Sequence, residues 1–199
     1  MTIAMALVDF IPVLLFLAAS VTLQRFLYDK MSKGAYSIFC AGTIMIFLAG
    51  FLKALWKFLY AAEICDFERL NQMFFPVQSI GFMLAGLAFV RVLTGKRKEE
   101  RMYAAVPAVF SGTMLFIALM SLGCLLMNAG LALMSFRRGR KACGALFAAA
   151  FVLMLGMGYL SSKDFTQASM NWIAQGVNIV GQGCFLAGTI MLCKAPEKS

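Results

Sequence analysis

The sequence predicts an all-α polytopic membrane protein. Three observations carry that prediction: an excess of apolar residues, their arrangement in long uninterrupted runs, and connections whose charge alternates in sign along the chain. Of the 199 residues, 62% are hydrophobic and 14% charged, and the mean hydropathy is +0.84. A soluble domain carries roughly 45–50% apolar and about 25% charged residues. Transmembrane β-strands show short alternating segments, whereas these runs are continuous and long enough for helices.

The first run, 3–23, is interrupted only by Asp9 and Pro12. It lacks a basic leader and a small-residue cleavage site, so it reads as a retained span and not as a signal peptide. Further runs occupy 34–60, 73–94, 102–136, 142–161 and 172–193. The first connection holds Arg25, Lys30 and Lys33 against Asp29, the second Glu63, Asp66 and Glu68 against Arg69, and the third Lys96, Arg97, Lys98 and Arg101 against Glu99 and Glu100. The positive-inside rule places the first and third in the cytoplasm and the amino terminus outside.

Run 102–136 is the difficult one. Its 35 uncharged residues would make a helix of about 52 Å, against a hydrocarbon core of about 30 Å. A single crossing would leave the cluster Arg137, Arg138, Arg140 and Lys141 outside. Two crossings, with a turn at 120–123, return it to the cytoplasm. Seven transmembrane helices are therefore preferred, with six, one of them long and tilted, as the alternative. On the seven-helix reading the carboxyl terminus is cytoplasmic, and the plasma membrane is the expected location.

A weak internal repeat fits seven. At an offset of 100, Leu70-Asn71 meets Met170-Asn171, Val77-Gln78 meets Val177-Asn178, and Gly81 meets Gly181, while Asp66-Phe67 has a displaced counterpart in Asp164-Phe165. Same-side repeats of three helices need one linker helix between them. The expected plan is a 3+1+3 internal repeat in a single transmembrane domain, 1–199, with units at 1–95 and 121–199 and the linker helix at 102–120. Parallel repeats of this kind are one known transporter plan. The layout resembles that of SWEET-type sugar carriers, which use paired asparagines on the third helix of each unit. No further motif of theirs is present, and the likeness is one of architecture.

Candidate chemistry concentrates on the third and last runs. Asn171, Gln175, Asn178 and Gln182 recur at spacings of four, three and four, which puts all four amides on one stripe of a helix. Asn71 and Gln78 hold corresponding positions in the third run, with Gln72 beside the first. Amides are costly in hydrocarbon and face the protein interior or a water-filled cavity. Interhelical hydrogen bonding between packed helices is the simpler use of them, and a solute-binding surface the alternative. Asp9 and Lys53 fall at similar depth, so an ion pair between them is expected, with Lys57 one turn further out. Gly81 and Gly86, and Gly156 and Gly158, read as sites of close helix contact. Trp56, Tyr60 and Trp172 at one boundary, with Tyr28 and Tyr103 at the other, read as interfacial anchors.

Much chemistry is excluded or disfavoured. Histidine is absent, which removes the commonest general base and metal ligand. The six cysteines form no CxxC pattern and read as small apolar residues, except Cys65 in a polar connection. No P-loop, Rossmann, HExxH or serine-elbow motif occurs. No cofactor, catalytic residue or metal is expected, and an enzyme is the least favoured class. The net charge of +9 resides in cytoplasmic connections, where topology and anionic lipid account for it without nucleic acid. The expectation is a small membrane carrier or solute-binding protein for a small polar molecule, using Asp9, Lys53, Asn71, Gln78, Asn171, Gln175, Asn178 and Gln182. The alternative is a non-transporting sensor, receptor or accessory subunit docking a cytoplasmic partner. Membrane lipids are expected partners on either reading, and an oligomer or partner subunit stays open.

Overall fold

A computed structural model describes residues 2–94, 113–160 and 168–194, and every regular element among them is an α-helix. The first span is α1 (Ile3–Val8) and α2 (Phe10–Leu27), separated at Asp9. Pro12 explains the break: it lacks an N–H, and its ring crowds the carbonyl four residues earlier, that of Val8. The same device recurs further on. Helix α4 (Arg69–Gln72) gives way to α5 (Phe74–Thr94) at Met73, where Pro76 crowds the carbonyl of Gln72.

Between them runs α3 (Lys33–Ala61), begun by Ser32, whose hydroxyl accepts from the Ala35 N–H at 3.3 Å. It ends where Glu63 adopts φ 55° and the Ile64 N–H reaches back to the Leu59 carbonyl at 3.1 Å. Helix α6 (Thr113–Arg137) and α7 (Lys141–Leu160) form a hairpin turned by Gly139, whose φ of 72° is open to glycine at no steric cost. The last helix is α8 (Ala168–Cys193).

Five helical segments among the described residues are long and apolar enough to cross a membrane, Ile3–Leu27, Lys33–Ala61, Arg69–Val92, Met114–Arg137 and Ser169–Cys193, and Lys141–Met157 is a shorter apolar helix. The chain is thus an α-helical protein with the character of a membrane protein.

Helix directions follow from named contacts. Gln24 meets Thr43 and Phe10 meets Phe51, so α2 and α3 are antiparallel. Phe39 meets Phe89, and Lys53 meets Phe74, so α3 and α5 are antiparallel too. Gly123 lies against Phe82 and Gly130 against Phe89, which makes α5 and α6 parallel. Ser135 with Cys143, and Cys124 with Met154, set α6 antiparallel to α7. Cys143 with Gly188, and Leu153 with Gly181, do the same for α7 and α8. Finally α8 returns to the first span in parallel, through Met5 with Gln175 and Phe16 with Phe185. The six long helices of the described residues therefore pack in chain order and close on themselves.

The bundle has two unlike ends. Arg25, Lys30, Lys33, Arg91, Arg137, Arg138, Arg140, Lys141 and Lys194 lie towards one, the basic end. Its half of the bundle is densely packed, with Leu23, Leu27, Phe39, Phe89, Leu131, Phe147 and Leu192 all fully buried. The other end carries Asp9, Glu63, Asp66 and Glu68.

One expectation is overturned here. Helix α6 runs unbroken through 120–123, so neither the turn nor a linker helix reaching residue 120 exists. The apolar run has no proline there, and Gly123 serves packing instead. A Cβ on it would lie 2.6 Å from the carbonyl oxygen of Phe82, a distance only glycine permits. Gly42 is equally tight, since a Cβ there would lie 2.6 Å from the Gly81 oxygen and the Ala85 nitrogen, and one on Gly86 would lie 2.6 Å from the Gly123 oxygen. Glycines thus let α3, α5 and α6 touch backbone to backbone. A Cβ on Gly156, by contrast, would meet nothing within 4 Å among the described residues. The third connection and the connection that holds Asp164-Phe165, together with Tyr103, lie outside the described residues.

Candidate ligand cavity

The half of the bundle away from the basic end encloses a cavity of about 670 Å³. All eight helices contribute to its wall, and all eight residues singled out from the sequence line it: Asp9, Lys53, Asn71, Gln78, Asn171, Gln175, Asn178 and Gln182. Gln72 does not. The lining runs on α3 from Lys57 to Ile46 and on α8 from Asn171 to Gln182. Eleven residues at about 1.5 Å each make the cavity about 16 Å deep along either helix.

The proline breaks shape its rim. Asp9, freed from the helix ladder at the α1–α2 break, pairs with Lys57. This corrects the expected partner, Lys53. The two lysines are one helical turn apart on the same face of α3, so depth alone does not choose between them; the register of α2 on α3 presents Asp9 to the outer one. Lys53 instead lies over Phe74, 3.8 Å from the ring centroid, with Phe75 at 5.6 Å, a cation–π arrangement. Among the described residues its ammonium has no carboxylate partner.

The amide stripe of α8 faces inward as its spacing requires. Gln175 donates through Nε2 to the Met5 carbonyl at 2.9 Å, which ties α8 to the first span. Its Oε1 is left over. That atom and the Oε1 atoms of Gln78 and Gln182 are buried without a hydrogen-bond partner among the described residues. Three unsatisfied carbonyl oxygens around one cavity are unusual, because a buried acceptor without a donor costs about 1–3 kcal/mol.

The rest of the wall is apolar. Val13, Phe16, Ile46, Phe47, Met120 and Met154 line it, and Phe16 stacks on Phe185 with centroids 5.9 Å apart, beneath which the packed half begins. Sequence reasoning missed Phe74, Phe75 and the methionines. Phe74 stands four residues before Gln78, and Met120 four before Cys124, so helical spacing from the amides would have found the first but not the second. At the rim Trp56 donates through Nε1 to Asp66 at 3.0 Å and stacks on Tyr60. Tyr60, Trp172 and, at the basic end, Tyr28 are exposed. All six cysteines are free, with Cys65 exposed and Cys124 and Cys143 buried. No group of three or more metal-ligating side chains occurs among the described residues.

Comparison with known protein families, characterised proteins and solved structures yields no match for this chain. The geometry of the cavity is therefore what bears on function.

Proposed function

We propose that this chain is a membrane carrier or solute-binding protein that takes a small polar molecule into the amide-lined cavity. The observation that carries the reading is the convergence of Gln78, Gln175 and Gln182, each with an unpartnered carbonyl oxygen, on one space. Packing alone would have paired these groups with one another or with backbone.

The orientation follows from charge. With the basic end in the cytoplasm, the cavity opens to the outside of the plasma membrane. The helix directions support a repeated plan: α2, α3 and α5 run in the same sequence of directions as α6, α7 and α8, and the contacts of α5 with α6 and of α8 with α2 correspond. Helix α5 ends at the basic end and the parallel α6 begins at the opposite one, which supports seven crossings over six. The unit boundary then falls near residue 113.

A sensor or accessory subunit is the second reading, favoured by the exposed Arg137 and Lys141 at the basic end, which suit an acidic cytoplasmic partner. Flux separates the two. A panel of polar metabolites is screened by thermal stabilisation of the purified protein, and hits are tested for counterflow in proteoliposomes. A carrier gives saturable flux; a sensor binds without it. Asn178→Leu should weaken binding by about tenfold or more while leaving the melting temperature within a few degrees. A panel that stabilises neither form, or a variant that melts early yet binds normally, returns the amides to a packing role. Orientation is checked separately: Cys65 should react with an impermeant thiol reagent applied outside cells, and a cysteine at Lys141→Cys should not.

A further inference from the structure

Resting on that reading, the ionisable groups of the cavity narrow the class of ligand. Among the described residues that line it, only Asp9, Lys53 and Lys57 carry charge. Asp9 and Lys57 neutralise each other, which leaves Lys53 as one net positive charge. Aromatic faces hold that ammonium on one side, and a cation at such depth draws an anion. Phe74, under Lys53, is one helical turn from Gln78 on the same face of α5, so the charge and the first amide are neighbours.

The amides ask for the opposite chemistry. Gln175 and Gln182 are only 6% and 8% exposed, and the atom each leaves unpaired is an acceptor. For Gln175 the assignment is fixed by its own bond, because Nε2 is already donating to the Met5 carbonyl. What these oxygens need is an N–H or O–H. Between charge and acceptors lies an apolar wall of Val13, Phe16, Ile46, Phe47, Met120 and Met154, and methionine and aromatic side chains both favour contact with a ring. A volume of about 670 Å³ lies within the ordinary range for an organic ligand of about 300–1,000 Å³.

We propose that the cavity binds an organic monoanion: an acid group seated on Lys53, an apolar body against the phenylalanine and methionine wall, and a hydrogen-bond donor remote from the acid for the glutamine carbonyls. A free inorganic anion satisfies only the first of these features, and a neutral sugar only the last.

Three small probes dissect the proposal in the full chain held in lipid nanodiscs, read by calorimetric titration. 4-Hydroxyphenylacetate carries all three features, phenylacetate lacks the donor, and 4-hydroxyphenylacetamide lacks the charge. The first should bind about tenfold or more tighter than either of the others, the change expected when a charged or buried polar partner goes unpaired. Lys53→Met should abolish the preference for acid over amide, Lys53→Arg should retain it, and Gln182→Leu should abolish only the preference for the hydroxyl. Equal affinity for acid and amide in the unmodified protein overturns the proposal while leaving a neutral polar solute in the cavity. Absence of heat with all three probes also overturns it, and the metabolite panel then decides separately whether the amide cavity binds any solute.

Discussion

The two halves of this bundle handle polar groups in opposite ways. Towards the basic end they are absorbed by backbone carbonyls: within one helix Ser135 donates to the Leu131 carbonyl at 2.8 Å, Thr43 to that of Phe39 at 3.1 Å and Asn128 to that of Cys124 at 2.9 Å, and between helices Cys143 donates to that of Gly188 at 3.0 Å. Such bonds to the backbone satisfy a hydroxyl or amide without opening space. The atoms of Ser20, Asn128 and Thr189 left without a partner among the described residues do not line the amide cavity. Towards the other end the amides, on α5 and α8, are longer and line a common volume, with carbonyl oxygens left unpartnered. The difference teaches that hydrophobicity is nearly uniform along the bundle, and that side-chain length and glycine placement separate scaffold from site.

The contrast breaks most severely in the glycine seam. Gly123→Leu should prevent a folded product or lower stability by several kcal/mol, because the new side chain meets the backbone at Phe82 and no rotamer relieves the clash. Yield of monodisperse protein and its melting temperature read this out. A variant that folds and melts normally would mean that α5 and α6 separate at little cost. Next comes the rim. Asp9→Asn and Lys57→Met should each destabilise, and together by less than their sum, with a coupling of about 1–3 kcal/mol for a partly buried pair. Additive losses in that double-mutant cycle would show that the two groups act separately. The smallest effect belongs to Gly183, where among the described residues nothing lies within 4 Å of the position that an added methyl group would take. Gly183→Ala should be neutral or stabilise by up to about 1 kcal/mol, since alanine is the better helix former. A marked loss there would place an unseen neighbour against α8.

Much of this is legible in the sequence, for reasons that can be named. Helix limits come within a few residues because the runs are apolar and the connections charged, as with 34–60 against Lys33–Ala61. The amide stripe is readable because 3.6-residue periodicity forces positions 171, 175, 178 and 182 to share a face. Three features are not. Lys53 and Lys57 share one face of α3, and the choice between them as the partner of Asp9 depends on how α2 is kinked at Pro12 and seated, a tertiary fact. Gly123 reads as a turn because glycine serves both turns and close packing; only the parallel approach of α5 tells which. The methionines of the apolar wall escape for a related reason, since a residue without charge or hydrogen bonds gives no sign of whether it faces lipid, core or cavity.

The return of α8 to the first span has a consequence for how the protein is made. During synthesis helices enter the membrane in order, and α2 must wait for the last of them before its flank is covered. At about 5–20 residues per second, the interval between completion of α2 and of α8 is on the order of ten to thirty seconds. Throughout it the Met5 carbonyl lacks the Gln175 amide and Phe16 lacks Phe185. A nascent chain stalled before residue 168 is therefore an open crescent with a polar seam facing lipid, a form that membrane quality control is suited to recognise and remove.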